Sequence, residues 1–211
     1  MFRDRKDAGR QLAESLQIYR QDNPQILAIP RGGIEIGYHV AGELDAPLEA
    51  IVVRKLPLPD NPEAGFGAIA EDGSVFLFEH MTAALADGAP ERIIEEQKKE
   101  VQRRIQVLRR GRALPAMRGK AVIIVDDGIA MGSTIRAAIT MCRNNQAGRI
   151  IVGAPVASPS VTEELKDLAD HVVILERPAL FKAVAQVYEN WYDVPDDEAV
   201  NLLEDFRHKC A

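Results

Sequence analysis

A chain of 211 residues with 46% hydrophobic content can bury one sizeable core, so we expect a single main domain. The formal net charge of -6 argues against broad binding to nucleic acid or to anionic membranes, because such proteins normally carry a basic footprint. Two distant cysteines, no zinc-like histidine spacing, no signal-like start and no membrane-length apolar run favour a reduced, cytoplasmic protein.

The first part of the chain alternates helical and strand patterns. Apolar residues at helical spacing predict a helix over 5–20, and the apolar run at 25–30 predicts the first strand. The "RGG" at 31–33 breaks that strand, and 34–44 predicts a helix that returns over the sheet. The next strand is predicted at 48–55, which is rich in β-branched residues.

The composition then changes at 56–73, where proline, glycine and acidic residues concentrate. This pattern predicts a long surface loop or a small β-hairpin, and loops of this length are usually lids or disordered. Strand character resumes at 74–78. An amphipathic helix is predicted over 90–110, with Gly111 ending it and its charge-rich face in solvent.

Three further apolar strands are predicted at 121–127, 149–158 and 171–178. Helical stretches at 135–145 and 161–169 separate them. Near-continuous apolar strands that alternate with helices are typical of a parallel sheet covered on both faces, with right-handed crossovers. We therefore predict an α/β fold.

The domain organisation follows from these patterns. We expect one domain over 1–211, with a core at about 5–178 and a flexible loop at 56–73. The remainder, about 179–211, is interpreted as a small helical hood beside the sheet. The hood contains five aromatic residues: Phe181, Tyr188, Trp191, Tyr192 and Phe206.

Two adjacent acids end the strand in "VIIVDDGIAMGSTI", at Asp126 and Asp127. Carboxylates about 5 Å apart repel by roughly 3 kcal/mol at an effective dielectric near 20. A helix cap would explain one aspartate but not both, so we expect a positive or hydrogen-bonding ligand beside the pair. In open parallel sheets, ligands bind beyond the carboxyl ends of the strands, where "PRGG" and "RK" are also expected.

The residues after the acids are suited to a phosphate. "AMGST" opens a helix whose free N–H groups and dipole attract anions, while Gly132 allows close approach and Ser133 and Thr134 offer hydroxyls. The loop lacks the Walker A spacing. Asp126 and Asp127 could accept hydrogen bonds from two neighbouring sugar hydroxyls, and Mg²⁺ would relieve their repulsion. A phosphate beside a vicinal diol describes a ribose 5-phosphate.

These stretches together resemble the type I phosphoribosyltransferases. "VIIVDDGIAMGST" is similar to their signature for phosphoribosyl diphosphate (PRPP), "IPRGG" to their pyrophosphate loop, and "VVRK" to the strand end before their flexible catalytic loop. The resemblance covers roughly 25–135 in order and is strongest to a subfamily with "PRGG", "RK" and "NPE.G.GA", some of whose members are joined to hydrolase domains. It implies a Rossmann-like parallel sheet with helices on both faces.

The resemblance also implies roles for the acids and the loop that follows. Asp126 and Asp127 would bind the ribose hydroxyls and would contact a metal directly or through water. The residues that would wrap the 5-phosphate are contiguous: Gly128, Ile129, Ala130, Met131, Gly132, Ser133 and Thr134.

Pyrophosphate would lie against the "PRGG" segment. The resemblance implies that Arg31 and the backbone of Gly32 and Gly33 hold it, helped by Arg54 and Lys55, and that a strained peptide occurs at Arg31–Gly32 or a neighbouring bond. By themselves, Arg54 and Lys55 would suit a solvated strand end and Arg31 a simple turn. Their order with the acid pair favours the functional interpretation.

The activity implied is transfer of the 5-phosphoribosyl group from PRPP to a base or related nitrogen nucleophile, with Mg²⁺ as cofactor and pyrophosphate as leaving group. The transition state is oxocarbenium-like. Mg²⁺, Arg31 and Lys55 can stabilise charge on the leaving group, and Arg54, Asp126 and Asp127 complete the expected catalytic set. Closure of the loop at 56–73 would exclude water, which would otherwise hydrolyse PRPP.

Three positions depart from the family pattern. Gly128 replaces an apolar residue, which would loosen the loop, and Met131 replaces a common threonine, which removes a hydroxyl donor. Ala130 stands where hypoxanthine-guanine enzymes carry an aspartate, which disfavours a 6-oxopurine acceptor. Purine, pyrimidine and non-nucleobase acceptors stay open, and a homodimer is compatible with the resemblance.

Two other functions compete with the enzyme. A regulatory protein could keep PRPP or nucleotide binding without catalysis, since repressors and attenuators exist on the family's fold. "RK" and the long lid favour the enzyme, whereas a basic surface would favour the regulator. Receiver-like signalling domains also place paired acids at strand ends, but near the start of the domain rather than at Asp126.

The remaining polar and aromatic residues are expected to be structural. Glu63, Glu71 and Asp72 are interpreted as solvated loop acids, and Trp191 and Tyr192 as core of the hood, with base stacking as the lesser alternative. The histidines and one cysteine are assigned to packing or surface positions: His39, His80, His171, His208 and Cys142.

Overall fold

The computed structural model describes residues 1–209, with only the backbone of Glu63, so Cys210 lies outside the described residues. The strands in chain order are β1 (Gln25–Ala28), β2 (Leu48–Ala50), β3 (Val53–Leu58), β4 (Asn61–Ala70), β5 (Val75–Leu77), β6 (Ala121–Val125), β7 (Arg149–Val156) and β8 (His171–Glu176). The α-helices are α1 (Arg5–Leu16), α2 (Gly32–Leu44), α3 (Glu79–Thr82), α4 (Ala89–Arg109), α5 (Ser133–Asn144), α6 (Pro159–Lys166) and α7 (Asp196–Lys209). Short 3-10 helices span Gln17–Asp22 and Val184–Val187.

The main sheet is parallel and has the strand order β2-β1-β6-β7-β8. Alternate residues of its strands face opposite sides, as the twofold period of a strand requires. Ile26 and Ile123 belong to the core that also contains side chains of α1, α2 and α7, whereas Leu27 and Ile124 belong to the core beneath α5 and α6. The predicted parallel α/β sheet with helices on both faces is confirmed.

The single strand predicted at 48–55 was wrong, because the chain changes sheets within it. β2 belongs to the main sheet, while β3 pairs antiparallel with β4 in a second sheet of order β3-β4-β5. The N–H of Ile51 still bonds to Ala28 of β1 at 2.9 Å, but the N–H of Val52 donates to Glu71 Oε1 at 3.0 Å. The apolar residues are compatible with either sheet, so the sequence pattern does not indicate where the chain stops pairing with β1 and begins pairing with β4.

The segment at 56–73 is the hairpin alternative rather than a loop. β3 and β4 pair along most of their length, with a register irregularity around Pro57. At Gly67 a side chain is excluded, because an added Cβ would lie 2.1 Å from the carbonyl oxygen of Phe76 on β5. The role of this hairpin as a lid stays a prediction.

Two charged residues expected in solvent are buried together. Arg109, at the end of α4, has only 1% of its side chain exposed, and it forms an ion pair with Glu71, which directly follows β4. The solvated interpretation of Glu71 was therefore wrong, and that of the charged face of α4 fails at Arg109, whereas most other charged residues of this helix are exposed as predicted. Asp72 is exposed and Cys142 is buried, as predicted.

The C-terminal residues that the structure describes are helical at 184–187 and over α7. Leu203 and Phe206 of α7 are buried in the core shared with α2. The boundaries proposed for the core, the loop and the hood stay predictions. Within residues 1–209, no helix has both the length and the apolar character needed to span a membrane.

Candidate active site

The "PRGG" segment and the acid pair are in direct contact at the carboxyl ends of β1 and β6. An added Cβ at Gly32 would lie 1.8 Å from Asp127 Oδ2, and one at Gly33 would lie 3.0 Å from the Cα of Asp126. The two glycines therefore let the start of α2 approach the acids. The Pro30–Arg31 peptide is cis, and it is one of the bonds next to Arg31–Gly32 that the resemblance also allowed.

The predicted phosphate loop connects β6 to α5. Its N–H at Ile129 is tied to the Val156 carbonyl at 2.8 Å, and Gly132 at φ 78° turns the chain into the helix. Ala130 and Met131 are exposed, whereas Ser133 is buried at the start of α5. The loop therefore has one anchored side and one open side.

Gly128, which departs from the family pattern, has a packing reason. An added Cβ would lie 2.4 Å from Val184 Cγ1 and 2.9 Å from Val156 Cγ1. An apolar side chain at this position would collide with the 3-10 helix at 184–187. The glycine is therefore needed for close packing of that helix over the loop.

Arg54 and Lys55 lie on β3 of the second sheet rather than at the end of a main-sheet strand. Arg54 donates to Gln97 of α4 at 3.3 Å. Burial, followed by the charge of Arg104 and then by smaller contributions that include Arg103 and Arg31, lowers the pKa of Arg54. A local basic cluster thus lies beside the "PRGG" segment of a protein whose net charge is negative.

Asp196 at the start of α7 bridges part of that cluster. Its carboxylate lies 3.4 Å from Arg31 and 3.7 Å from Arg103. Both arginine side chains are substantially exposed, so these pairs contribute little stability. Arg31 is therefore oriented while still open to a ligand.

The acid pair is electrostatically strained, as its sequence implied. Burial, and then the charge of Asp127, raise the pKa of Asp126 well above its ordinary value. The N–H of Asp127 donates to Asp126 Oδ1 at 2.9 Å, which favours the ionised form without offsetting the burial. Glu35, on the first turn of α2, is a further, partly buried acid whose buried Oε2 has no hydrogen-bond partner among the described residues.

Arg5 supplies a compensating positive charge that the sequence interpretation missed. Its Nε donates to Asp127 Oδ2 at 2.8 Å, and its side chain is only 3% exposed. The available signal was positional, because Arg5 occupies the same buried stripe of α1 as Ala8, Leu12 and Leu16. A charged residue on such a stripe needs a partner.

Trp191 and Tyr192 are not core residues of the hood. They are 37% and 44% exposed, and the Arg5 guanidinium lies 4.0 Å and 5.4 Å from the centres of their rings. Tyr188 lies deeper and donates its hydroxyl to the Asp127 carbonyl at 2.7 Å. Three aromatic residues of the hood therefore lie beside Arg5 or Asp127.

Comparison with known proteins identifies the family. The model of the family described as "Phosphoribosyl transferase domain" matches residues 3–190, which is most of the chain. The chain belongs to this phosphoribosyl transferase family. The matched range includes Arg5, the "PRGG" segment and the acid pair.

Two curated relatives of this chain come from Mycobacterium tuberculosis. The proteins Rv0571c of strain H37Rv and MT0597 of strain CDC 1551 carry a provisional phosphoribosyl transferase name, and each is 42% identical over 210 residues. The alignment covers 97% of this chain but 46% of each relative. The chain thus spans about half the length of the curated relatives it matches.

A solved relative matches this chain along nearly its full length. The crystal structure of TT1426 from Thermus thermophilus superposes with a TM-score of 0.82 at 35% identity. The superposition covers 98% of this chain and 99% of that one. The two-sheet arrangement described above therefore belongs to a fold that this relative shares.

A first prediction tests the contact at Gly32. Gly32→Ala is expected to lower the melting temperature and to weaken PRPP binding at least about tenfold, because its Cβ would displace Asp127 Oδ2 and overpacking costs about 1–3 kcal/mol. Gly42→Ala, in the same helix but with no heavy atom within 4 Å of an added Cβ, is the matched control. It should stabilise the protein by up to about 1 kcal/mol and leave binding unchanged. Equal behaviour of the two variants in calorimetry would contradict the described contact.

Proposed function

We propose that this phosphoribosyl transferase domain moves the 5-phosphoribosyl group of PRPP to a nitrogen nucleophile with Mg²⁺ and releases pyrophosphate. The observation that carries the proposal is the contact between the "PRGG" segment and the acid pair, 1.8 Å from an added Gly32 Cβ to Asp127 Oδ2. A pyrophosphate site and a ribose site must adjoin in this way, because PRPP joins its pyrophosphate to C1 of the ribose.

The pyrophosphate end of PRPP would meet backbone donors and arginines. Gly32 and Gly33 form the first turn of α2, where free N–H groups and the helix dipole favour an anion. Arg31 adds a half-exposed guanidinium, and Arg54, Arg103 and Arg104 add positive charge nearby. Lys55, which follows Arg54 on β3, is the remaining cation that we assign to this anion site.

At the ribose 5-phosphate end, the ribose hydroxyls would meet hydrogen-bond acceptors and the phosphate would meet hydrogen-bond donors. Asp126 and Asp127 offer carboxylate oxygens to the ribose hydroxyls, and the loop from Gly128 to Thr134 leads into α5 with its N–H groups toward the phosphate. This order along the chain matches the order of groups along PRPP.

The acid pair fits a Mg²⁺ ion whose other ligands are oxygens of PRPP or water. Of the residues that the structure describes, no three His, Cys, Asp or Glu side chains come together as a metal site. Asp126 and Asp127 supply two carboxylates whose repulsion a cation would relieve, and Mg²⁺ is commonly held by one or two carboxylates plus substrate phosphates. When bound, it would neutralise charge on the pyrophosphate.

The side chains contribute mainly charge stabilisation and exclusion of water. Arg31 and its neighbouring arginines would hold the leaving pyrophosphate as the C1 bond breaks, while the acid pair keeps the ribose in place. The β3–β4 hairpin, which carries Lys55, would close over the site and keep water from the oxocarbenium-like centre.

The test is PRPP-dependent chemistry on the parent protein. We expect PRPP with Mg²⁺ to raise the melting temperature, and pyrophosphate release to depend on one acceptor in a panel of purines, pyrimidines and other amines. A PRPP-dependent rise without release for any acceptor would favour the regulatory alternative. No rise at all would contradict PRPP binding in either form.

A further inference from the structure

Arg5 holds the second acid of the pair from a place 122 residues earlier in the chain. Its Nε lies 2.8 Å from Asp127 Oδ2, and an added Cβ at Gly32 would lie 2.7 Å from the same nitrogen. The ion pair therefore lies in close contact with Gly32 of the "PRGG" segment. We propose that Arg5 is a positioning residue for the ribose subsite, an inference that rests on the proposed PRPP site.

The geometry of this ion pair assigns one oxygen of Asp127 to the protein and leaves the other for the sugar. Arg5 binds Oδ2 on the side of Gly32, so Oδ1 is the oxygen that can face a ligand. Without the guanidinium, the Asp127 carboxylate would turn away from Asp126, because the two negative charges repel. Arg5 thereby keeps both acids pointed at adjacent hydroxyls.

The guanidinium itself is fixed on several sides. Its Nη1 donates to the Tyr192 carbonyl at 2.9 Å, and its central carbon lies 4.0 Å from the centre of the Trp191 ring. Stacking combined with two directed donors suits an arginine, because a lysine has neither a flat face nor a rigid fork. Arg5→Lys therefore preserves the charge but not the geometry.

The N-terminal segment is hydrogen-bonded to the hood, and these bonds hold the arginine beside its aromatic neighbours. The N–H of Phe2 donates to the Val187 carbonyl at 2.7 Å, and the N–H of Glu189 donates to the Phe2 carbonyl at 2.8 Å. Tyr188, between these two, donates its hydroxyl to the carbonyl of Asp127 at 2.7 Å. The N-terminal segment and the hood thus hold Asp127 at two points, because Arg5 binds its carboxylate and Tyr188 binds its backbone carbonyl.

If Arg5 has only a structural role, its replacement should weaken binding at the whole site. If it positions Asp127, its replacement should weaken binding at the ribose end alone. Inorganic pyrophosphate has no ribose hydroxyls and needs only the "PRGG" end of the site, so it separates these roles. Arg10→Gln is the matched control, because Arg10 lies on the same helix and is exposed.

The experiment is calorimetric titration with Mg²⁺ present, using PRPP and then inorganic pyrophosphate as ligands. Arg5→Gln should weaken PRPP binding at least about tenfold and leave pyrophosphate binding within about twofold, as expected for losing one charged hydrogen bond. Arg5→Lys should fall between Arg5→Gln and the parent. Arg10→Gln should match the parent with both ligands.

Each other outcome overturns the inference. Equal weakening for both ligands would make Arg5 a general structural residue, and unchanged PRPP binding in Arg5→Gln would remove its role. No PRPP binding by the parent would reject the proposed function as well, which distinguishes the two failures. If Arg5→Gln does not fold, Trp191→Leu leaves Arg5 in place, and it must weaken PRPP binding selectively for the inference to stand.

Discussion

The double variant Asp126→Asn, Asp127→Asn is expected to weaken PRPP binding about 10²–10⁴-fold. The variant keeps the shape of both side chains but removes the charge that strengthens their bonds to ribose hydroxyls. Hydrogen bonds to charged groups contribute about 1.5–3 kcal/mol each, and about 1.4 kcal/mol corresponds to a factor of ten. Calorimetric titration of PRPP in the presence of Mg²⁺ measures the effect.

Asp167→Asn is the control for this loss, because Asp167 is an exposed acid at the end of α6. It should bind PRPP like the parent. Unchanged binding in the double variant would contradict the assignment of the acid pair to the ribose.

The single variants should separate in stability. Burial and the Asp127 charge raise the pKa of Asp126, so the folded state holds that proton more tightly than the unfolded chain. Stability is then lost as the pH rises from the unfolded pKa through the folded pKa, and ionised Asp126 is destabilising at neutral pH. Asp126→Asn should therefore melt at or above the parent at pH 7, whereas Asp127→Asn should melt lower because it leaves the charge of Arg5 buried without its counter-ion.

The second large effect concerns the buried pair between Arg109 and Glu71. Arg109 also donates to the Ala50 carbonyl at 3.2 Å, and Glu71 accepts from the Val52 N–H at 3.0 Å. The pair therefore stabilises the chain where it leaves the main sheet for the second sheet. Arg109→Met is expected to destabilise the protein by about 3–5 kcal/mol, because it leaves a buried carboxylate without its partner. Urea unfolding measures this loss.

Arg110→Met is the adjacent control. Arg110 is 75% exposed and pairs with Glu204 on the surface, so its removal should change stability by less than about 1 kcal/mol. Adding Glu71→Leu to Arg109→Met should recover much of the loss, since apolar replacement of a whole buried pair is often neutral. An Arg109→Met variant as stable as Arg110→Met would show that the pair does not join the two sheets.

The parallel main sheet and the motifs at its edge could be predicted from the amino-acid sequence alone. Its central strands are apolar on both faces, so the parallel arrangement could be inferred from each run separately. "PRGG" and the acid pair with its loop are contiguous motifs that follow strands. Since carboxyl ends of parallel strands share one edge, their approach could be predicted before any contact was known.

The assignment of strands to sheets around Val52 and the burial of charged residues depend on long-range contacts that the local sequence does not encode. The apolar run from Ala50 to Val53 would satisfy either sheet, and the change depends on where Glu71 accepts the hydrogen bond of the Val52 N–H. Glu71 and Arg109 look like solvated charges in sequence, because nothing near either residue in the chain indicates its partner 38 residues away.

Arg5 is the clearest case of information that lies in the fold alone. The sequence indicated that Asp126 and Asp127 needed a positive partner, and the motif suggested a ligand or Mg²⁺ for that role. The protein supplies part of the compensation itself, through a side chain 122 residues away in sequence. This contact depends on the packing of α1 against α2 and on the position of the hood beside the acid pair. Neither arrangement can be inferred from a local sequence pattern.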